Sequence, residues 1–179
     1  MVSPGSSVIT YDVRGHGRTE SPEGGYSISL FVEDAYALMK AIEVQDAYFL
    51  GHSMGGRIAL KLALDHPEMV KALVLANSYV GLTPPPPEAA EQRRLTLELL
   101  NKGDMKRFAE TMATDAFSPG FKYRKPSEFE NYMKVKLQNE PDGLAQVMPL
   151  LGVPTSPLDL GKLKCPVLLI VGKTTSTWG

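Results

Sequence analysis

Little in the sequence ties it to an oxidising compartment, a membrane or a nucleic acid. It has one cysteine, Cys165, which excludes an internal disulfide and fits a reducing compartment. That cysteine stands before Pro166 and an apolar run, where it reads as a small buried residue rather than a reactive thiol. Nineteen Lys and Arg nearly balance twenty Asp and Glu, a net charge of −1. There is thus no electrostatic reason to expect nucleic acid or an anionic membrane as partner. No apolar run approaches the roughly 20 residues that span a bilayer. The start, "MVSPGSSVITYD", has no cationic stretch followed by an apolar one, so it is not a secretory signal. The simplest placement is cytoplasmic. Histidine is also scarce, with three in 179 residues, and no motif calls for a metal or a cofactor.

A chain of 179 residues that is 43% hydrophobic can bury one good core, with room for a subdomain. "SVITYDVRG" (7–15) is β-branched and closes on Gly15, which predicts a strand ending in a turn. From Ser27, the residues Ile28, Val32, Ala35, Leu38, Met39 and Ile42 recur at helical spacing, with Glu33 and Asp34 towards the positive end. "AYFLG" (47–51) predicts a short strand. Ile58, Ala59, Leu62 and Ala63 mark a second helix that stops at His66-Pro67. "VKALVLAN" (70–77) and "CPVLLIVG" (165–172) predict two more strands. Their lack of polar alternation implies burial on both faces and, with helices between them, a parallel sheet of the α/β class.

Between the last two strands the pattern changes. "TPPPPEAAEQ" is a stiff proline linker opening a helix near Glu88. Helical stripes follow at Leu95 and Leu99; at Met105, Phe108 and Met112; at Phe129, Tyr132 and Met133; and at Leu144, Val147 and Met148. Gly103, Ser118-Pro119-Gly120, Pro126 and Pro141 separate them. Residues 82–154 therefore read as a helical insertion on a core made of 1–81 and 155–179, its aromatic and methionine stripes being packing.

The informative stretch is "YFLGHSMGGRIAL", where Gly51-x-Ser53-x-Gly55 sits at a strand-to-helix junction. This is the nucleophile-elbow pattern. A serine on so sharp a turn needs neighbours without side chains where strand and helix nearly touch. The turn presents the hydroxyl at the carboxyl end of the sheet, and the following helix aims the Met54 amide at an oxyanion.

"VITYDVRGHGRTESP", "GHSMGGRIALKLALDHPEMVKALVLANS" and "CPVLLIVG" resemble successive core segments of the α/β-hydrolase fold. The proline linker and its helices resemble that family's cap. The "LVLANS" strand end and "NEPDGLAQVM" are most similar to 3-oxoadipate enol-lactonase-like esterases. The resemblance implies Ser53 as nucleophile and the Met54 N–H as half of the oxyanion hole, with Gly51 and Gly55 as elbow glycines. It implies a small carboxylic ester or lactone as substrate, opened through an acyl-enzyme. "RGHGRT" matches a turn near the mouth of the site, so His16 is a pocket-lining or loop-shaping residue. His52 precedes the nucleophile, directed away from its hydroxyl and a candidate with His16 to line the pocket, and His66 ends a helix.

A serine needs a base to take its proton and an acid to orient that base. In the family the acid follows the strand matching "VLLIVG" at G-x-x-D, but here Thr175 occupies that place and cannot carry the charge. The matching histidine lies further on in the family, and three strands with an HG-type oxyanion loop precede "VITYDVRG". One of those strands lies between "VITYD" and "YFLG". The chain is therefore expected to be an internal fragment of an α/β-hydrolase, the tail "TTSTWG" suggesting a truncated or frameshifted reading frame. Either the two flanking strands pair directly or both face a gap, and a gap would favour association through unpaired edges. Residues 1–179 alone are expected not to react with a fluorophosphonate, and to react once the flanking segments are restored. The alternatives are a perhydrolase or C–C hydrolase of the same fold, or a non-catalytic small-molecule binder; a dehalogenase would need a carboxylate in place of Ser53.

Overall fold

The computed structural model describes residues 7–78, 87–152 and 158–172. Three parallel strands, β1 (Ala47–His52), β2 (Val70–Ala76) and β3 (Val167–Ile170), form a sheet in the order β1-β2-β3. Their register runs Phe49↔Leu73↔Val167 and Gly51↔Leu75↔Leu169. Helix α1 (Ile28–Ala41) starts where the Ser27 hydroxyl accepts the Leu30 N–H at 3.0 Å, satisfying an amide that the first turn leaves without a carbonyl. Helix α2 (Met54–Asp65) follows β1 directly and ends at His66, where Pro67 forbids continuation.

Between β2 and β3 come α3 (Pro87–Asn101), α4 (Met105–Ala116), α5 (Phe121–Arg124), α6 (Pro126–Leu137) and α7 (Pro141–Val147), then a 3-10 turn at Met148–Gly152. Phe31, Val32, Leu62, Met69 and Leu73, each at most 1% exposed, centre the main core between α1, α2 and the sheet. Leu100, Phe108, Leu144 and Met148 form a second cluster among the later helices. Among the described residues no helix is long and apolar enough to cross a membrane.

Three sequence expectations need correction. The segment 7–15 is not a strand: Val8 and Ile9 stand 68% and 48% exposed. Side chains hold its end instead of a ladder, since Arg14 grips Asp34 of α1 through two bonds of 2.9 and 2.7 Å and Val13 packs on the core. Neither edge of the gap is bridged, and β1 pairs with β2 alone among the described residues.

β1 and β2 are also buried on one face only, and β3 is exposed on both, with Val167 and Leu169 at 39% and 67% on the core side. Phe49, Leu73 and Leu75 point into the core, whereas Tyr48 (78% exposed), Leu50 (72%), Leu168 (57%) and Ile170 (48%) share the opposite, open face. Unbroken apolar strands predict helices on both sides, and the described helices α1 and α2 sit on one. Finally, α3 buries Thr96 and Leu100 with Leu99 packing partly buried beside them, so of the expected Leu95–Leu99 stripe only Leu95, 42% exposed, stands outside. The Thr96 hydroxyl donates to the Gln92 carbonyl at 2.8 Å, which lets a polar residue take the inner position.

Candidate active site

Gly51 and His52 end β1, Ser53 forms the corner, and Met54 opens α2. The Ser53 amide donates to the Ala76 carbonyl at 3.0 Å, fastening the corner to the end of β2. The Ser53 carbonyl accepts from the Gly56 and Arg57 amides at 3.1 and 3.4 Å, closing the first turn of α2. The Ser53 backbone has φ 51 and ψ −116, outside the regions open to residues with a Cβ. Holding serine there costs about 1–3 kcal/mol, a strain that clusters at functional positions. Ser53 is exposed at this corner.

The close approach that forces the corner is visible in its glycines. A Cβ on Gly51 would fall on the Gly55 carbonyl and 2.5 Å from the Gly56 nitrogen. A Cβ on Gly56 would overlap the Ser78 hydroxyl, which itself donates to the Gly51 and Ala76 carbonyls at 3.3 and 3.1 Å. Around Gly55 there is open space. The motif's spacing names Gly51 and Gly55; the geometry requires Gly51 and Gly56. The doubled glycine was the available signal for the second.

Met54 occupies the first helical position, so its amide is among the four that a helix leaves without internal acceptors. Its side chain packs partly buried against the main core. An oxyanion placed beside Ser53 would meet this helix terminus and its positive dipole end.

All three histidines lie within the described residues, and none is hydrogen-bonded to the Ser53 hydroxyl. His52 is exposed beside it. His66 stacks on Tyr36 with ring centroids 4.0 Å apart, and its nitrogens lie 3.5 and 3.9 Å from Glu33 and Glu68. His16 sits in the turn after Val13 with Nδ1 3.3 Å from the Arg14 carbonyl. Thr175 lies outside the described residues. Among the described residues no group of three His, Cys, Asp or Glu could hold a metal ion. A cavity of about 340 Å³, lined by Tyr11, Asp12, Arg14, Thr19, Asp34 and Leu38 among others, does not include Ser53.

Burial holds the His16 imidazole below its usual pKa, and Lys136 adds to this, while the Arg14 carbonyl and Asp12 oppose it. The folded chain thus prefers neutral His16, and the unfolded chain binds the extra proton first as pH falls. Stability should therefore decline with acidification from about pH 6.5, levelling once the folded imidazole also protonates. Urea midpoints across this range should fall less steeply in His16→Asn, and an unchanged slope would refute the half-buried, neutral imidazole.

Comparison with known proteins fits this geometry. A family model described as the alpha/beta hydrolase fold matches residues 3–135. The 3-oxoadipate enol-lactonase 2 of Acinetobacter baylyi is 30% identical over 165 residues, covering 92% of this chain and 60% of that protein. A crystal structure of a hydrolase from Pseudomonas aeruginosa superposes with a TM-score of 0.79 at 31% identity, covering 90% of this chain and 60% of that one. The enol-lactonase from Burkholderia xenovorans gives 0.80 at 26% identity, covering 91% and 61%. The chain thus spans about 60% of the length of these relatives.

Proposed function

Since the chain belongs to the α/β-hydrolase fold family, we propose that Ser53 is the nucleophile of a hydrolase that opens a small carboxylic ester or lactone. The observation that carries this reading is the Ser53 backbone at φ 51 and ψ −116. A serine serves no folding purpose there, because glycine would hold the same corner without strain. The relatives named as lactonases support the substrate class.

In the proposed reaction Ser53 Oγ attacks the carbonyl carbon while a base takes its proton. The oxyanion is held by the Met54 amide. When the carbonyl re-forms, the C–O bond to the alcohol breaks and the base returns the proton to the departing alkoxide. For a lactone the alcohol stays joined to the acyl group. Water, deprotonated by the same base, then frees the acid and restores Ser53. None of the three histidines is placed to be that base, so the 179-residue chain is proposed to react slowly by itself. The same observation favours a second reading, a protein that binds such an ester or lactone without turning it over.

Fluorophosphonate labelling in the presence of free imidazole tests the proposal. We expect little label in plain buffer, an increase of roughly 10- to 100-fold with imidazole as a diffusing base, and none in Ser53→Ala. Label surviving in Ser53→Ala would overturn the assignment. Rapid labelling without imidazole would show that a base is already at hand. A folded chain inert in saturating imidazole would favour the binder.

A further inference from the structure

The stretch "NEPDGLAQVM" supplies a row of contacts that neither its apolar residues nor the proposed chemistry uses. Asn139 Oδ1 accepts the Gly17 N–H at 2.9 Å, and Asn139 Nδ2 donates to the Val135 and Lys136 carbonyls at 3.0 and 3.1 Å, closing the end of α6. On α7, Gly143 meets Gly15 backbone against backbone. A Cβ on Gly143 would lie 2.7 Å from the Gly15 oxygen and upon the Ser21 hydroxyl, and one on Gly15 would lie 3.0 Å from the Gly143 oxygen. Further along, Gln146 Oε1 accepts the Gly24 N–H at 3.3 Å. The Leu150 carbonyl then accepts from Arg57 Nη1 at 2.9 Å. Arg57 is 6% exposed and stands on the turn of α2 whose amide bonds the Ser53 carbonyl.

Gly143 and Gln146 stand three apart on one face of α7, with Asn139 in the turn before that helix and Leu150 in the 3-10 turn after it. The contacts at 139, 143 and 146 are made by an amide or a bare backbone and that at Leu150 by its carbonyl, while Leu144 and Met148 turn into the second cluster. The row touches the 15–24 turn at three places and the nucleophile's helix at a fourth.

We infer that this row fastens the helical segment to the 15–24 turn and to the helix that follows Ser53, as a fixed wall and not as a swinging lid, with Asn139 and Gly143 as positioning residues. A lid has to break its contacts with the core in order to open. Here opening would separate two backbones already at contact distance and three hydrogen bonds, one of them from a buried arginine, in one event. A substrate would then be selected by fit against a standing surface. This last step rests on Ser53 being the reactive group; the fastening does not.

Hydrogen–deuterium exchange on the 179-residue chain tests the fastening. In the wild type, α6 and α7 amides should exchange as slowly as those of α2, and exchange about a hundredfold faster than α2 would mean a lid that opens unaided. Asn139→Ala should speed α6 and α7 by about tenfold, the worth of a hydrogen-bonded tie, and leave α1 and α2 unchanged. Gly143→Ala should do so more strongly. Should Gly143→Ala fail to fold, Asn139→Asp takes its place: it keeps the acceptor for Gly17 and loses both donors to α6, and should fall between wild type and Asn139→Ala. Equal acceleration throughout the chain, or none anywhere, would overturn the inference.

A second readout separates positioning from mere stability. In imidazole, the rate ratio of a small to a bulky fluorophosphonate should shrink several-fold in Asn139→Ala, and an unchanged ratio would count against the wall. If Ser53 takes no label at all, the reading of its chemistry fails while the exchange rates still decide the fastening.

Discussion

Gly51→Ala is expected to lower stability by roughly 3–5 kcal/mol, a large part of what a domain of this size has in hand. The new methyl would meet the Gly55 carbonyl and the Gly56 nitrogen, backbone atoms of the first turn of α2, so no side chain can swing aside to admit it. Relief requires β1 and α2 to part. That would strain the Ser53 amide bond to Ala76 and the Ser78 hydroxyl bond to the Gly51 carbonyl. Gly55→Ala provides the contrast. Its Cβ would enter open space on a helix, and removing glycine there should add about 0.5–1 kcal/mol. Urea denaturation of the pair, with a shifted midpoint and unchanged slope, reads both effects. If the two alanines behave alike, the corner is looser than its geometry says.

Ser53→Gly should stabilise the fold by about 0.5–2 kcal/mol while abolishing covalent labelling. The gain is the release of strain at φ 51 and ψ −116, a mirror image of extended backbone that glycine enters freely. Part of it is offset by the greater freedom of glycine in the unfolded chain. Ser53→Ala keeps the strain and should leave stability nearly unchanged, so the two variants separate the backbone's contribution from the hydroxyl's. A destabilised Ser53→Gly would mean that the hydroxyl, and not the turn, holds the corner together. A rise in stability on losing the proposed nucleophile is what a residue retained for chemistry at the expense of folding should show.

Much of this arrangement could be read from local pattern. The three strands are short apolar runs with glycine, asparagine or proline at their ends, and α1 and α2 carry their own start and stop signals at Ser27 and His66-Pro67. The corner was legible because a glycine spacing encodes a steric requirement. What failed was non-local. Val8 and Ile9 have strand-like side chains, but a strand exists only where a neighbour supplies the other half of its hydrogen bonds. Two-sided burial is what the strand composition predicts, but composition records what the side chains prefer and not whether a layer is present to meet them. On α3 the inner face is centred on Thr96 and Leu100 with Leu99 at its edge and Leu95 outside it, and a hydroxyl bonded to its own helix carries no apolar signal. The row through Asn139 and Gly143 escaped for a related reason: periodicity is sought in apolar side chains, and these contacts are made by an amide and a bare backbone.

The open side of the sheet bears on how the molecule responds to temperature. Heat capacity rises on unfolding mainly because apolar groups become hydrated, and Tyr48, Leu50, Leu168 and Ile170 are largely hydrated before unfolding begins. The increment should fall short of the usual value of about 12–15 cal/mol/K per residue. A smaller increment flattens the dependence of stability on temperature. Cooling would then weaken this chain less than it weakens a protein whose sheet is covered on both sides.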